Sequence, residues 1–173
     1  MTNTSMKMAV FSDSHGNYRL LGQALATSRS LGAEIFVHLG DYYDDLSHFD
    51  CTGHTVHRVP GLPGTDSVAP YVEKCATFSF GGLQVLAVHD LDTLQPQGRE
   101  GLLILYGHTH KAESFLGKDG AWYLNPGHLK AEFDRGAEPS FALIRHTAAG
   151  GESISEMFSP EGKPIFSCSI AFR

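Results

Sequence analysis

The 173-residue chain has no excess of positive charge, with 13 Lys and Arg against 19 Asp and Glu and a net charge of −6. It therefore carries no basic footprint for nucleic acid or for an acidic membrane face, and an anionic ligand would need a local source of positive charge such as bound cations. Cysteine is scarce: Cys51, Cys75 and Cys168 are odd in number and widely separated. That excludes a disulfide framework or a zinc knuckle and reads as reduced thiols in a cytoplasmic protein. No apolar run approaches a membrane span, and the opening MTNTSMKMAVFSD offers one Lys and four apolar residues in a row before Ser12, too few for a signal peptide. Internal repeats, linkers and low-complexity segments are also missing, so a single domain over 1–173 is expected. Histidine, by contrast, is plentiful: there are ten, repeatedly beside Asp or Gly.

The apolar pattern predicts strands and helices in alternation at first, then mostly strands. MKMAVF (6–11) is a short buried run ending at polar Ser12. Asn17 is a candidate helix cap, followed by Leu20, Leu21, Ala24, Leu25 and Ser28 near a 3.6-residue period, with Gly32 as the stop. EIFVHLG and HTVHRV (54–59) read as two more strands, and 60–70, rich in Pro and Gly, as loop. Hairpins follow in ATFSFGGLQVLAVHD, ESFLGKDGAWYLN, and SFALIRH with ESISEMF. GLLILYGH is an apolar strand of buried type, and PIFSCSIAF a last edge strand. The result is an α/β domain with more strand than helix.

The chemistry gathers where those strands end. FSDSHGN (11–17), HLGD (38–41), VHD (88–90) and GHTHK (107–111) put Asp13, His15, Asp41, His89, His108 and His110 just beyond four predicted strands. In open α/β sheets ligands collect beyond the carboxyl ends of strands. Asp and His suit borderline divalent ions such as Mn²⁺, Fe²⁺ or Zn²⁺, and the absence of Cys from the cluster argues against thiolate sites. A carboxylate such as Asp41 can bridge two ions. A two-metal site is a recognised arrangement for phosphate ester hydrolysis, binding phosphoryl oxygens and generating a hydroxide near neutral pH.

With DSHGN, LGD, GHTHK and LNPG in this order, the chain resembles the calcineurin-like metallophosphoesterases, nearest their small prokaryotic YfcE-like phosphodiesterase group, from Ala9 to about Phe158. The resemblance implies a four-layer α/β/β/α sandwich with two mixed sheets flanked by helices. It also implies two divalent metal ions, Mn²⁺ foremost with Fe²⁺, Ni²⁺ or Zn²⁺ as alternatives. Asp13, His15 and His110 would hold one, Asp41 would bridge and carry the hydroxide, and His89 and His108 would hold the second. The implied reaction is hydrolysis of a small phosphate ester, a diester by preference; the charge balance gives no expectation of a nucleic-acid or membrane partner, and homo-oligomerisation stays open.

Departures from the family pattern bear on the second ion. The family's Asn after the third strand is replaced by Leu62, which cannot coordinate, leaving Thr65, Asp66 or water as substitutes, or a weakly bound second ion. The family's catalytic His on that loop is absent, so no general acid is assigned. His108 follows His89 by only nineteen positions, room for a turn or two of helix. The alternative is a scaffold of the same fold that binds proteins, like the retromer subunit that has largely lost catalysis.

Blander roles compete residue by residue. Asp13 and His15 could cap the following helix, and His38 and Asp41 could flank a plain turn. Asp90 is expected beside the site rather than in it. Asn17 reads equally as a phosphate contact or a cap, and His128 as a phosphate contact or a surface residue. His48, His54, His57 and His146 are expected on solvated or edge positions. YYDDLSHFD (42–50) reads as a solvated helix, with Tyr42 or Tyr43 available to line the site.

Overall fold

The computed structural model describes residues 5–61, 73–95, 98–147 and 151–172. Its strands form two stacked mixed sheets. The first has six strands in the order β11 (Pro164–Ile170), β10 (Glu152–Phe158), β9 (Phe141–Thr147), β1 (Ser5–Phe11), β2 (Ile35–His38) and β3 (Thr55–Arg58). The second has five, ordered β4 (Cys75–Phe80), β5 (Leu83–Val88), β6 (Leu102–Leu105), β8 (Trp122–Pro126) and β7 (Ala112–Leu116). In the first sheet β1, β2 and β3 run parallel, and in the second β5, β6 and β8 do. The remaining pairs are antiparallel.

Side-chain alternation builds the layers. Met8 and Val10 on β1 meet Val85, Ala87, Leu103, Leu105 and Leu124 of the other sheet, making the core between sheets. Ala9 and Phe11, pointing the opposite way, pack under the single α-helix of the described residues, α1 (Tyr18–Ser30). The Asn17 side chain caps α1 by accepting from Leu20 N at 3.1 Å, and Gly32, with φ +83°, takes the left-handed position just beyond its end. Leu20, Leu21 and Leu25 are fully buried, each contributing roughly 1.5–3 kcal/mol over the exposed state.

The α/β sandwich expected from the sequence is present with little helix. Among the described residues, the outer face of the five-stranded sheet is covered by a 3₁₀ turn, Leu91–Thr93, and no α-helix; Leu91 and neighbouring Leu94 pack on the cluster of Ile104, Tyr106 and Tyr123. The linking sequence is too short, and too soon broken by Pro96 and Gly98, to do more. The YYDDLSHFD segment likewise forms a 3₁₀ helix, Tyr43–His48, rather than an α-helix. His146 corrects another expectation: it lies on the interior strand β9, buried, with Nδ1 2.9 Å from Ser153 Oγ. All three cysteines are free, and among the described residues no helix is long and apolar enough to cross a membrane.

Candidate metal centre

The parallel strands of both sheets deliver their carboxyl ends to one place. Asp13 and His15 follow β1, Asp41 follows β2, His89 follows β5, and His108 and His110 follow β6. Backbone hydrogen bonds tie these turns within each sheet: Asp13 N to Gly40 O at 3.0 Å and Gly107 N to His89 O at 3.0 Å. Others cross between sheets. His108 N donates to Asp13 Oδ2 at 3.1 Å, and His89 Nδ1 to Leu39 O at 2.7 Å.

The turns are sharply bent. Of the seven described non-glycine residues with positive φ, five are candidate ligands: Asp13 (51°), His15 (47°), Asp41 (50°), His108 (67°) and His110 (65°). Such backbone is unfavourable for residues with a Cβ and clusters where function holds it in place. Gly107 shows how close the packing is, since a Cβ there would lie 2.0 Å from Ser12 Oγ and 2.8 Å from Asp13 Oδ2.

Ligand atoms of Asp13, His15, Asp41 and His110 all lie within 4.8 Å of one another. Asp41 turns one oxygen to each side: Oδ2 is 3.4 Å from His15 Nε2, and Oδ1 is 3.5 Å from His89 Nε2. Because His89 Nδ1 donates to Leu39 O, its Nε2 is left with the lone pair, facing Asp41. The His108 ring stands edge-on to His89 with centroids 5.4 Å apart. His110 Nε2 lies 3.1 Å from Asp13 Oδ1, an ion-pair distance that lacks hydrogen-bond geometry. Among the described residues, three buried side-chain atoms have no hydrogen-bond partner: Asp13 Oδ1, His15 Nε2 and His89 Nε2. A buried polar atom left unpaired costs about 1–3 kcal/mol, and three converging lone-pair donors of hard and borderline type fit a divalent cation.

A supporting shell lies behind these groups. His38, fully buried, accepts from Gly40 N at Nδ1 (3.3 Å) and has Nε2 3.0 Å from Ser14 Oγ, which donates to Asp45 Oδ2 at 2.8 Å. Asp45 Oδ2 also accepts from Gly16 N at 2.7 Å. On the other side, His110 Nδ1 donates to Asp134 Oδ2, and Lys130 Nζ to Asp134 Oδ1 at 3.2 Å. Sequence reasoning missed Asp45 and Asp134 because neither ends a strand or forms a motif with a ligand.

The electrostatics follow from burial and pairing. Burial pushes the Asp13 carboxyl up, but neighbouring His110 and the Ser12 hydroxyl more than offset this and hold it below the usual carboxylate range. For His110 burial works downward, and the carboxylates of Asp13 and Asp134 win, raising it. His15 is lowered by burial, with Asp41 only partly opposing. Burial raises Asp134 as well, but hydrogen bonds from His110 and Lys130 bring it down to about 2.

Other sequence candidates are engaged elsewhere. The Asn17 amide both caps α1 and donates to Lys130 O at 2.9 Å. His128 is fully buried, with Nε2 3.2 Å from Ala137 O and Nδ1 accepting from Lys130 N at 3.3 Å, so neither ring nitrogen is left for a phosphate. Asp90 caps the 3₁₀ turn by accepting from Asp92 N at 3.0 Å. Tyr42 is 42% exposed and packs its ring 5.5 Å from that of His15, with φ at 71°. Leu62, Thr65 and Asp66 lie outside the described residues.

Residues 6–149 match the model of the calcineurin-like phosphoesterase superfamily domain. Among solved structures, the chain is similar to the phosphoesterase YfcE of E. coli at 16% identity, covering 96% of this chain and 100% of that one, with a TM-score of 0.74. A predicted phosphoesterase of Streptococcus pneumoniae is 20% identical over 98% of this chain and 99% of its own, with a TM-score of 0.70. Vps29 of Entamoeba histolytica is 18% identical over 96% and 100%, with a TM-score of 0.65. No curated protein matches the sequence.

Proposed function

Since the chain belongs to the calcineurin-like phosphoesterase superfamily, we propose that it is a metal-dependent phosphodiesterase hydrolysing a small phosphate ester at a dinuclear site. The observation that carries this reading is the set of three buried atoms without a hydrogen-bond partner among the described residues, Asp13 Oδ1, His15 Nε2 and His89 Nε2, two of them facing the Asp41 carboxylate. Asp13, His15 and His110 would hold one ion, His89 and His108 the second, and Asp41 both. When bound, divalent cations supply Lewis-acid charge to phosphoryl oxygens and lower the pKa of an attacking water.

The chain's own groups do the positioning. The Leu39 carbonyl accepts from His89 Nδ1, so in the neutral ring Nε2 carries the lone pair that a metal would take. Ser12 Oγ and His108 N both hold Asp13 Oδ2, which leaves Oδ1 as the free ligand atom. In a chain of net charge −6, an anionic ester depends on local positive charge. The small-phosphodiesterase resemblance of the motifs supports a diester, and no residue is given the role of general acid.

The test is hydrolysis of bis(p-nitrophenyl) phosphate by metal-stripped protein titrated with Mn²⁺, beside Asp41→Asn. Activity should rise with Mn²⁺ in the wild type and be lost in the variant together with metal content, because the amide offers one oxygen where the carboxylate offers two. A wild-type chain that binds none of Mn²⁺, Fe²⁺, Ni²⁺ or Zn²⁺ and hydrolyses nothing would refute the proposal and leave the scaffold reading.

A further inference from the structure

We propose that Asp134 is a positioning residue for the metal ligands, carried on a strap, residues 128–137, that clamps the ends of both sheets. The inference rests on the reading of His110 as a ligand. The strap reaches three of the groups that matter. Asp134 Oδ2 accepts from His110 Nδ1, Arg135 Nη1 donates to His108 O at 2.8 Å, and Leu129 N donates to Asp13 O at 3.3 Å. One short segment therefore touches both members of the GHTH turn and the turn after β1.

The strap is itself built rather than draped. Asp134 and Ala137 exchange two backbone hydrogen bonds at 3.0 and 2.9 Å, closing a tight turn around Arg135, whose φ of 47° is left-handed. His128 is buried beneath it, with Nε2 donating to Ala137 O, and Asn17 Nδ2 donates to Lys130 O at the start of α1. Lys130 Nζ donates to the other Asp134 oxygen. The carboxylate thus gives one oxygen to Lys130 and the other to the imidazole, with Arg135 Nε 3.9 Å from the latter oxygen.

The consequence for the ring is specific. A neutral imidazole has one N–H and one lone pair, and which nitrogen carries the proton is set by its partner. With Nδ1–H given to Asp134, Nε2 keeps its lone pair and faces Asp13. Carboxylate partners of this kind orient a ligating histidine and raise its basicity, and their loss lowers metal affinity about 10–100-fold. His89 obtains the same tautomer from a neutral carbonyl, Leu39 O. The centre therefore sets one ring with a charge and another with a dipole.

The experiment uses the full chain, stripped of metal, as wild type, Asp134→Ala and Asp134→Asn. Two quantities are read: Mn²⁺ affinity by calorimetry, and the ¹⁵N shifts of the His110 imidazole in the metal-free protein at mildly alkaline pH, where the ring is neutral. Asp134→Ala should weaken Mn²⁺ binding about 10–100-fold and turn a single Nδ1-protonated tautomer into a mixture. Asp134→Asn, whose amide oxygen still accepts from Nδ1, should restore the tautomer and part of the affinity. Asp134→Ala should also lower the metal-free melting temperature, because it removes the hydrogen bonds to His110 and Lys130, so the tautomer and the affinity, not the melting temperature, decide. Unchanged affinity with an unchanged tautomer in Asp134→Ala overturns the proposal. A wild type that binds no Mn²⁺ would instead overturn the metal-centre reading, and the tautomer measurement would still decide whether Asp134 sets the ring.

Discussion

Acid should weaken this fold through His38, and the amount can be worked out from its surroundings. Burial lowers the His38 pKa from 6.5 to about 3. Its Nδ1 already accepts from Gly40 N–H, so a second ring proton would face a donor. Between those two values the unfolded chain binds a proton that the folded chain refuses, so stability falls as pH drops below 6.5 and continues to fall to about 3. At about 1.36 kcal/mol per pH unit, lowering the pH from about 7 to about 5 costs about 2 kcal/mol through this residue alone. His38→Gln removes the titration while keeping a polar group for Ser14. Urea unfolding of metal-free wild type and variant at both pH values isolates the effect, because the other histidines titrate alike in the two chains. The stability gap between wild type and variant should shrink by about 2 kcal/mol at the lower pH. A gap constant to within about 0.5 kcal/mol would refute the argument that the ring stays neutral in its buried network.

Other perturbations test neighbouring features. Gly107→Ala places a Cβ 2.0 Å from Ser12 Oγ and should cost about 1–3 kcal/mol by overpacking, read by denaturation. It should also weaken Mn²⁺ binding more than an exposed control such as Lys118→Ala, because Ser12 positions Asp13. Tyr42→Gly releases an exposed ring from φ 71° and should raise the unfolding free energy by up to about 1 kcal/mol, an outcome opposite to the usual cost of introducing glycine. Destabilisation there would mean that the ring's contact with His15 outweighs the strain.

Most of the fold was legible because its signals are local. Alternation along β1 and the 3.6-residue spacing of Leu20, Leu21, Ala24 and Leu25 lead directly to the two faces they bury. The ligand candidates were legible for a related reason: a polar group ending an apolar run stands out against the cost of burying it. What escaped depends on contacts far apart in sequence. Asp134 meets His110 across 24 positions, and Ser14 meets Asp45 across 31, with no periodicity to mark either. His128 looked available because it stood beside a turn, yet the strap folds over it and takes both nitrogens. That no α-helix covers the second sheet among the described residues was foreshadowed only by the short interval between His89 and His108.

Two costs coincide at the strand ends, and their coincidence is what makes the centre more than a set of polar turns. Five candidate ligands sit in left-handed backbone, at roughly 1–3 kcal/mol apiece where the residue is strained; three atoms at the same ends are buried without partners. Turns serving only to reverse the chain would shed both costs by placing Gly at the bends and letting the side chains reach water. Here Gly occupies the neighbouring positions 16, 40 and 107, while Asp and His keep the bends themselves. The bend aims each side chain inward from its strand end, and Gly40 and Gly107 let the turns approach closely enough for the aims to meet, whereas Gly16 has open space around it. At Gly40 a Cβ would lie 2.6 Å from Gly61 N, and at Gly61 one would lie 2.1 Å from Asp41 Oδ1. Local strain would then be the means by which the strand ends bring ligand atoms of Asp13, His15, Asp41 and His110 within 4.8 Å of one another, and a cation bound there would offset it by binding atoms that lack a hydrogen-bond partner among the described residues.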